Sequence, residues 1–353
     1  MLKPEHRMNI AAPDLIRFAT DVLVACGMPA ADAAITAACI VNADLTGADA
    51  HGIFRLAQYV DAFDKKAINP RAAIKVLNQG PATALIDGDN GMGHLVVERA
   101  VRLAIELAAT SGIAWVGTRN SNHAGAGGVY VSMLTNAGLI GLYGAVSGFN
   151  QMAPWGGAEP LLGTNPLAIG IPAGKQPAVI IDTATSVASA GMIKAAALRG
   201  ESVPEGWMID PASGGAVTDP AKMMQSLLAP IGEHKGSGLA LAIGLLAGSL
   251  NGAAFGRDIP RRGPGFGVNS GQFVIALDVR RFAPAEEFGA ELDRHVETFA
   301  QSDPLPGVAR VRVPGEARAQ RKRERSEHGV AISAPLAQQL NALALRFKID
   351  FAV

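Results

Sequence analysis

Apolar residues recur at helical spacing through the first 80 positions. Leu15, Phe18, Val22 and Leu23 form one stripe that follows Pro13, a residue suited to a first helical turn, and stops at Gly27. A second helix is predicted through Ile35, Cys39 and Val41 toward Leu45. A third begins near His51 and carries Leu56, Tyr59, Val60 and Phe63 at i, i+3, i+4 and i+7. These three make a helical N-terminal layer. From Thr83 the pattern shifts to short β-like runs: Thr83–Asp87, Ile113–Gly117, Leu139–Val146, Leu167–Pro172, Ala178–Thr183, Gln272–Val279 and Ala309–Val313. Apolar helices separate several of them, and that alternation predicts an α/β body.

Two later stretches test the pattern. Gly236–Phe255 has 20 uncharged residues, long enough for a membrane span. Frequent Gly, Ser and Asn and the lack of a basic flank argue instead for a helix buried on all sides in a core. The tail from Glu316 reads as helical, with Arg318, Arg321, Lys322, Arg323 and Arg325 interleaved with Glu324 and Glu327. Mixed signs predict a solvated face rather than a polyanion site.

Composition narrows the picture. The 353 residues carry 31 basic and 31 acidic side chains, so net charge gives no case for nucleic acid. Charged residues are 18% of the chain, below the roughly 25% of an average soluble domain. The deficit is local: from Ser121 to Leu198 only Glu159, Lys175, Asp182 and Lys194 are charged, 4 of 78. In the same region 12 of the 54 residues from Ser121 to Gly174 are Gly. Cys26 and Cys39 lack disulfide or metal spacing. The first residues lack a signal-peptide core and cleavage site, which points to the cytoplasm. No repeat or low-complexity linker is present.

The scarce polar groups are the candidates for chemistry. Gly125, Gly127 and Gly128 follow the strand from Ile113 and precede a helix starting near Val129, but Tyr130 occupies the sixth position, so no ordinary dinucleotide fingerprint exists. Backbone N–H groups at that helix start suit an anion, and close helix-to-strand packing is the other reading. His51 and Arg55 stand at i and i+4, with Tyr59 continuing the row. They suit either a proton carrier beside a carboxylate clamp or a capping histidine beside a surface arginine. Lys235 lies at the start of the long apolar helix. Asp182 ends a strand and awaits ribose hydroxyls or the amides of the next helix start. Zinc-site spacing and G-x-S-x-G are absent, and no metal is expected.

Eight stretches then run in one order: ADLTGADAHGIFRLAQYV (43–60), DGDNGMGHLVVERAVRLAIELA (87–108), SNHAGAGG (121–128), MAPWGGAEPLLGTNPLAIGIP (152–172), IDTATSVASAGMI (181–193), VPEGW (203–207), HKGSGLALAIGLLAG (234–248) and RVPGE (312–316). Together they resemble the malate/L-lactate dehydrogenase family of NAD(P)-dependent oxidoreductases, which is separate from the Rossmann-type lactate and malate dehydrogenases. Its members include ureidoglycolate, sulfolactate and diketogulonate enzymes and the piperideine/pyrroline-2-carboxylate reductases.

The resemblance implies an α/β, mixed-sheet, sulfolactate dehydrogenase-like fold with a helical N-terminal layer, not a standard Rossmann fold. Its expected division is a helical layer at 1–80 joined by C-terminal helices at 316–353, an α/β body at 81–120 and 225–315, and a cofactor-binding domain at 121–224. It implies hydride transfer between NAD or NADP and C2 of a small 2-oxo or 2-hydroxy acid or cyclic 2-imino acid. The alternative is a catalytically impaired nicotinamide-binding homologue.

In that scheme His51 matches the acid/base, Arg55 the carboxylate-holding arginine, and Thr164 a residue near the substrate. His123 matches a histidine assigned to cofactor or proton transfer. Gly125, Gly127, Ser147, Asp182, Thr183, Lys235, Arg312, Gly315 and Glu316 would line the cofactor. A homodimer with its sites between subunits is implied, with a small carboxylate as substrate and neither nucleic acid nor membrane as partner. Four departures stand out: Ala50 replaces a usual Ser, Met192 a polar residue, Gln272 a frequent His, and Val146 and Phe149 the usual neighbours of Ser147.

Overall fold

The computed structural model describes residues 8–261 and 265–351. Its helical layer contains α1 (Ala12–Ala25), α2 (Ala30–Leu45), α3 (Leu56–Asp64) and, from the far end of the chain, α10 (Ala334–Phe347). Leu15, Phe18, Val22 and Leu23 are fully buried among Ile40, Tyr59, Val60 and Leu340, so the stripe read from the sequence is the core of this layer. A two-stranded ribbon of β1 (Met8–Ile10) with β12 (Val330–Ile332) ties the two ends of the chain together.

The body is a seven-stranded mixed sheet in the order β2 (Lys75–Gln79), β3 (Thr83–Asp87), β4 (Ile113–Ser121), β11 (Ser270–Asp278), β5 (Leu139–Ala145), β6 (Leu167–Ile171) and β7 (Val179–Thr183). β3 and β4 are parallel and the other pairs antiparallel. Residues of 81–120, 121–224 and 225–315 all contribute strands to this one sheet. α4 (Gly93–Ser111) and α5 (Gly127–Asn136) pack on one face through Val97, Val101, Val129 and Leu134. α7 (His234–Ala247) covers part of the other through Ile243 and Ala247 against Phe273. A smaller core around Met152, Ile193, Met208 and Leu228 joins α6 (Ala190–Arg199) to the three-stranded sheet of β8 (Met208–Ile209), β9 (Ala216–Val217) and β10 (Leu227–Leu228). α8 (Ala285–Ala300) and α9 (Glu316–His328) follow the last sheet strand.

Several expectations need correction. Ala309–Val313 is largely exposed coil, not a strand: no neighbour offers it a ladder, and one bond from Ile180 N–H to Pro314 O touches the sheet edge. The exposed edge strand β2 escaped notice because all five of its residues face solvent, so apolar alternation is absent. α7 is not buried on all sides. Leu241, Leu245, Leu246 and Leu250 are 47%, 46%, 38% and 63% exposed, forming a bare apolar row on one face of the chain. Nor is the basic tail wholly solvated, since Arg318 and Arg325 turn inward while Arg321, Lys322 and Arg323 face water. Among the described residues no helix is long and apolar enough to cross a membrane.

Candidate active site

The site begins at a break in a helix. The sequence predicts His51 and Arg55 on one continuous α-helix, but they occupy two successive 3₁₀ turns, Asp49–His51 and Ile53–Arg55, separated by Gly52. The cause is Asp44 near the end of α2. Its buried carboxylate accepts the Ile53 N–H at 2.7 Å. A Cβ at Gly52 would stand 1.9 Å from that carboxylate, so only glycine fits the crossing. Arg325 of α9 donates to the Asp44 carbonyl and pairs with Asp49, which clamps the turn from outside. Burial pushes the Asp44 carboxyl up to about 7 and Asp49 adds to the rise, while the Ile53 N–H and Arg325 oppose it.

The break turns His51 toward His123. Their rings stack with centroids 5.4 Å apart at 21°. Tyr59 Oη lies 2.8 Å from His123 Nδ1, and burial pushes the phenol upward, so the hydroxyl keeps its proton and the contact is a hydrogen bond that fixes the ring's orientation. A third imidazole, His94 in the first turn of α4, meets Tyr59 and His123 edge-on at 5.4 and 6.2 Å. Both of its ring nitrogens, and His51 Nδ1, are buried without a hydrogen-bond partner.

Burial holds all three imidazoles below the usual histidine range, His94 at about 3. Arg55 presses His51 further down, and Asp182 opposes it. Arg55 is itself anchored: Nε donates to the Ala50 carbonyl and Nη1 to Gln58 Oε1, both at 2.8 Å. That backbone contact, rather than a helix face, sets the direction of the guanidinium.

The loop bearing His123 is held from three sides. Asn122 donates to Asn90 and Gly91 and accepts from the Gly267 N–H, and Gln272 Nε2 donates to the Asn122 carbonyl. Gly125 has a positive φ of 73°. α5 then starts at Gly127, whose neighbour Gly128 donates its N–H to Asp182 Oδ2 at 2.8 Å. Asp182 thus serves α5, not the following helix α6, which Ser189 caps.

Ser147 Oγ and Thr164 Oγ1 are 3.0 Å apart, and Thr185 closes on the Thr164 carbonyl. The Thr183 hydroxyl donates to its neighbour Ala184 and stays exposed. Gly315 packs on β7, and Glu316 pairs with Arg310. Lys235, second residue of α7, and Arg312 are exposed, and no hydrogen bond or ion pair ties either side chain to the cluster among the described residues. The structure therefore gathers His51, Arg55, His123 and Gly125 into one group and Ser147 with Thr164 into another. Gly127, Asp182 and Gly315 border a third.

Sequence reasoning missed His94, Asp44 and Arg318. The G-M-G-H run before an apolar helix was a signal for His94. Arg318 was hidden among the surface charges of α9.

The same order of motifs runs through a known family. The model for malate/L-lactate dehydrogenase matches residues 10–341. The chain belongs to the malate/L-lactate dehydrogenase family. It is 37% identical to L-sulfolactate dehydrogenase of Methanocaldococcus jannaschii over 97% of this chain and 96% of that protein. The structure of that enzyme superposes with a TM-score of 0.89, covering 97% of this chain and 98% of the other. Malate dehydrogenase of Pyrococcus horikoshii is 34% identical over 98% and 97% of the two chains. Delta(1)-pyrroline-2-carboxylate reductase of Ancylobacter novellus is 34% identical over 92% and 94%. As a member of this family the protein is a dehydrogenase that works with a nicotinamide cofactor, on the family's mixed-sheet fold rather than a Rossmann fold.

The turn that carries His51 makes stability depend on Asp44. The folded chain holds the Asp44 proton to about pH 7, whereas an unfolded aspartate releases it near pH ~4. The folded state binds the extra proton in between, so this contribution is present below pH ~4 and is lost as pH rises toward 7. Asp44→Asn, neutral throughout, should gain in melting temperature relative to the parent as pH is raised from about 5 to about 8. A difference between the two proteins that stays constant with pH would contradict the protonated carboxyl.

Proposed function

We propose that the protein exchanges hydride reversibly between NAD or NADP and C2 of a small 2-oxo or 2-hydroxy acid or a cyclic 2-imino acid. The observation that carries this reading is the stacked His51–His123 pair with an anchored Arg55 beside it. The bound nicotinamide supplies or takes up the hydride. Arg55, with Nε and Nη1 already braced, holds the substrate carboxylate.

His51 moves the proton at the substrate oxygen or nitrogen. In the free site Arg55 and burial keep His51 neutral, and a carboxylate seated on Arg55 offsets the first of these causes. Substrate binding thus raises the proton affinity of His51 when a proton donor is needed. His123, oriented by Tyr59 through Nδ1, turns Nε2 toward the reacting pair. Thr164 sits beside the substrate. Gly125, Gly127, Ser147, Asp182, Thr183, Lys235 and the loop through Arg312, Gly315 and Glu316 form the cofactor bed.

Two polar features support the fit of a dinucleotide: the Asp182 carboxylate at the α5 N-terminus and the buried, unpartnered guanidinium nitrogens of Arg318 beside it. Because His51, Arg55 and His123 are assembled, catalysis is favoured over an impaired binding homologue. The free thiols Cys26 and Cys39, pushed up to about 11 and 12 by burial, fit a reducing cytoplasm.

Titration with NADH and NADPH, followed by an absorbance screen of pyruvate, 2-oxoglutarate, ureidoglycolate and pyrroline-2-carboxylate, tests the reading. Tight cofactor binding with no turnover on any acid would favour the impaired homologue. His51→Ala should lower turnover by roughly 10²–10⁴ while cofactor binding holds. An unchanged turnover number removes His51 from the role. Arg55→Met should act mainly on the Michaelis constant for carboxylated substrates, and an equal loss with an uncharged analogue would contradict the clamp.

A homodimer completes the proposal. The row of Leu241, Leu245 and Leu246 on α7, with Leu250 in the turn just after it, leaves an apolar face that a second copy covers by two-fold symmetry. Leu245→Glu should shift sedimentation from dimer to monomer, and a wild-type chain that sediments as a concentration-independent monomer refutes the dimer.

A further inference from the structure

Arg318 is a buried cation that the proposed reaction does not use. It lies in the first turn of α9, where the helix dipole disfavours a positive charge. That turn is pinned to the sheet: a Cβ on Gly315 would stand 2.4 Å from the Ala178 carbonyl, and Ile180 N–H donates to Pro314 O at 3.4 Å. Arg318 therefore projects toward Asp182 at the end of β7.

The two charges do not pair fully. Arg318 Nη1 is 3.8 Å from Asp182 Oδ2, beyond hydrogen-bond distance, while that oxygen accepts the Gly128 N–H at 2.8 Å. Glycine at 128 makes room for the guanidinium, whose Cζ would be 2.6 Å from a Cβ there. With 15% of the side chain exposed, Nε and Nη2 are buried and have no hydrogen-bond partner. Leaving such donors unpaired is costly, so the site calls for an acceptor with at least two oxygens. A guanidinium fork matches a phosphate in this way. Asp182 cancels most of the long-range attraction, which selects a ligand that engages the fork directly over one drawn by net charge. The substrate carboxylate has Arg55 already.

We propose that Arg318 binds a phosphate group of the dinucleotide cofactor through Nε and Nη2, with Asp182 and Gly128 holding the guanidinium in place. This rests on the nicotinamide reading given above. The phosphate is either in the bridging diphosphate, common to both cofactors, or the 2′-phosphate of NADPH.

Dissociation constants of NADH and NADPH, read by fluorescence on the intact chain, test it with Arg318→Met and, in case that variant fails to fold, Arg318→Gln. Loss of a charge-assisted pair should raise the constant about 10- to 100-fold. Loss on both cofactors assigns the bridging diphosphate, and loss on NADPH alone assigns the 2′-phosphate. Arg318→Lys should recover part of the affinity, since it restores charge without the fork. Reduced nicotinamide riboside, which has no phosphate, should bind the variant and the parent alike. Unchanged constants for both cofactors overturn the assignment, as does an equal loss for the riboside, which would mark a general disturbance of the bed. Wild-type protein that binds neither cofactor overturns the nicotinamide reading itself, and this assignment with it.

Discussion

The insertion of β11 between β4 and β5 is the constraint on which the rest of the structure depends. Residues 270–278 pair antiparallel with 113–121 on one side and 139–145 on the other, joining two halves of a sheet that local sequence keeps apart. The same strand reaches into the active site. Gln272 accepts from Thr118 Oγ1 at 2.6 Å and donates to the Asn122 carbonyl, one residue before His123. The Gln272 amide does two jobs at once, accepting from the strand and donating to the loop. His123 therefore owes its position to a residue about 150 positions downstream, and Tyr59 in the helical layer fixes the orientation of its ring.

Charge is handled by exclusion. Three imidazoles and a carboxyl are buried within one region, and burial holds all of them toward their neutral forms. Repulsion among adjacent rings means that a proton on one discourages protons on the others. Arg55, its guanidinium held by two hydrogen bonds to Ala50 and Gln58, is the cation beside this neutral cluster. The charge-poor stretch from 121 to 198 follows the same logic. Glu159, Lys175 and Lys194 are exposed, Glu159 in a pair with Arg257, while the Asp182 side chain, 20% exposed, accepts from a backbone amide and lies beside a guanidinium.

Much of the architecture was readable along the chain. The stripes of α1 and α3 are core, and the runs beginning at Thr83, Ile113, Leu139, Leu167 and Ala178 are strands with boundaries shifted by four residues at most. These elements are amphipathic or apolar in their own right, so local spacing reveals them. Elements that draw their stability from a partner were not: exposed β2, the ribbon of β1 with β12, and the two-residue strands around α6 have too little pattern of their own. The reverse error, a strand at Ala309–Val313, came from apolar residues with no neighbour to pair with.

In the site, residue identity and order were enough to single out His51, Arg55, His123 and Asp182 as candidates, because acid/base, clamp and carboxylate chemistry restrict the side chains that can serve. Their geometry was not contained in that spacing. The sequence by itself determined which groups are available and that the chain folds as helices around a mixed sheet. Tertiary structure alone decided that Gly52 breaks the predicted helix over Asp44, that His94 joins the histidine pair, and that Arg318 turns inward. Each of these depends on a buried polar group finding, or lacking, a partner outside its own helix, and periodicity carries no record of such pairings.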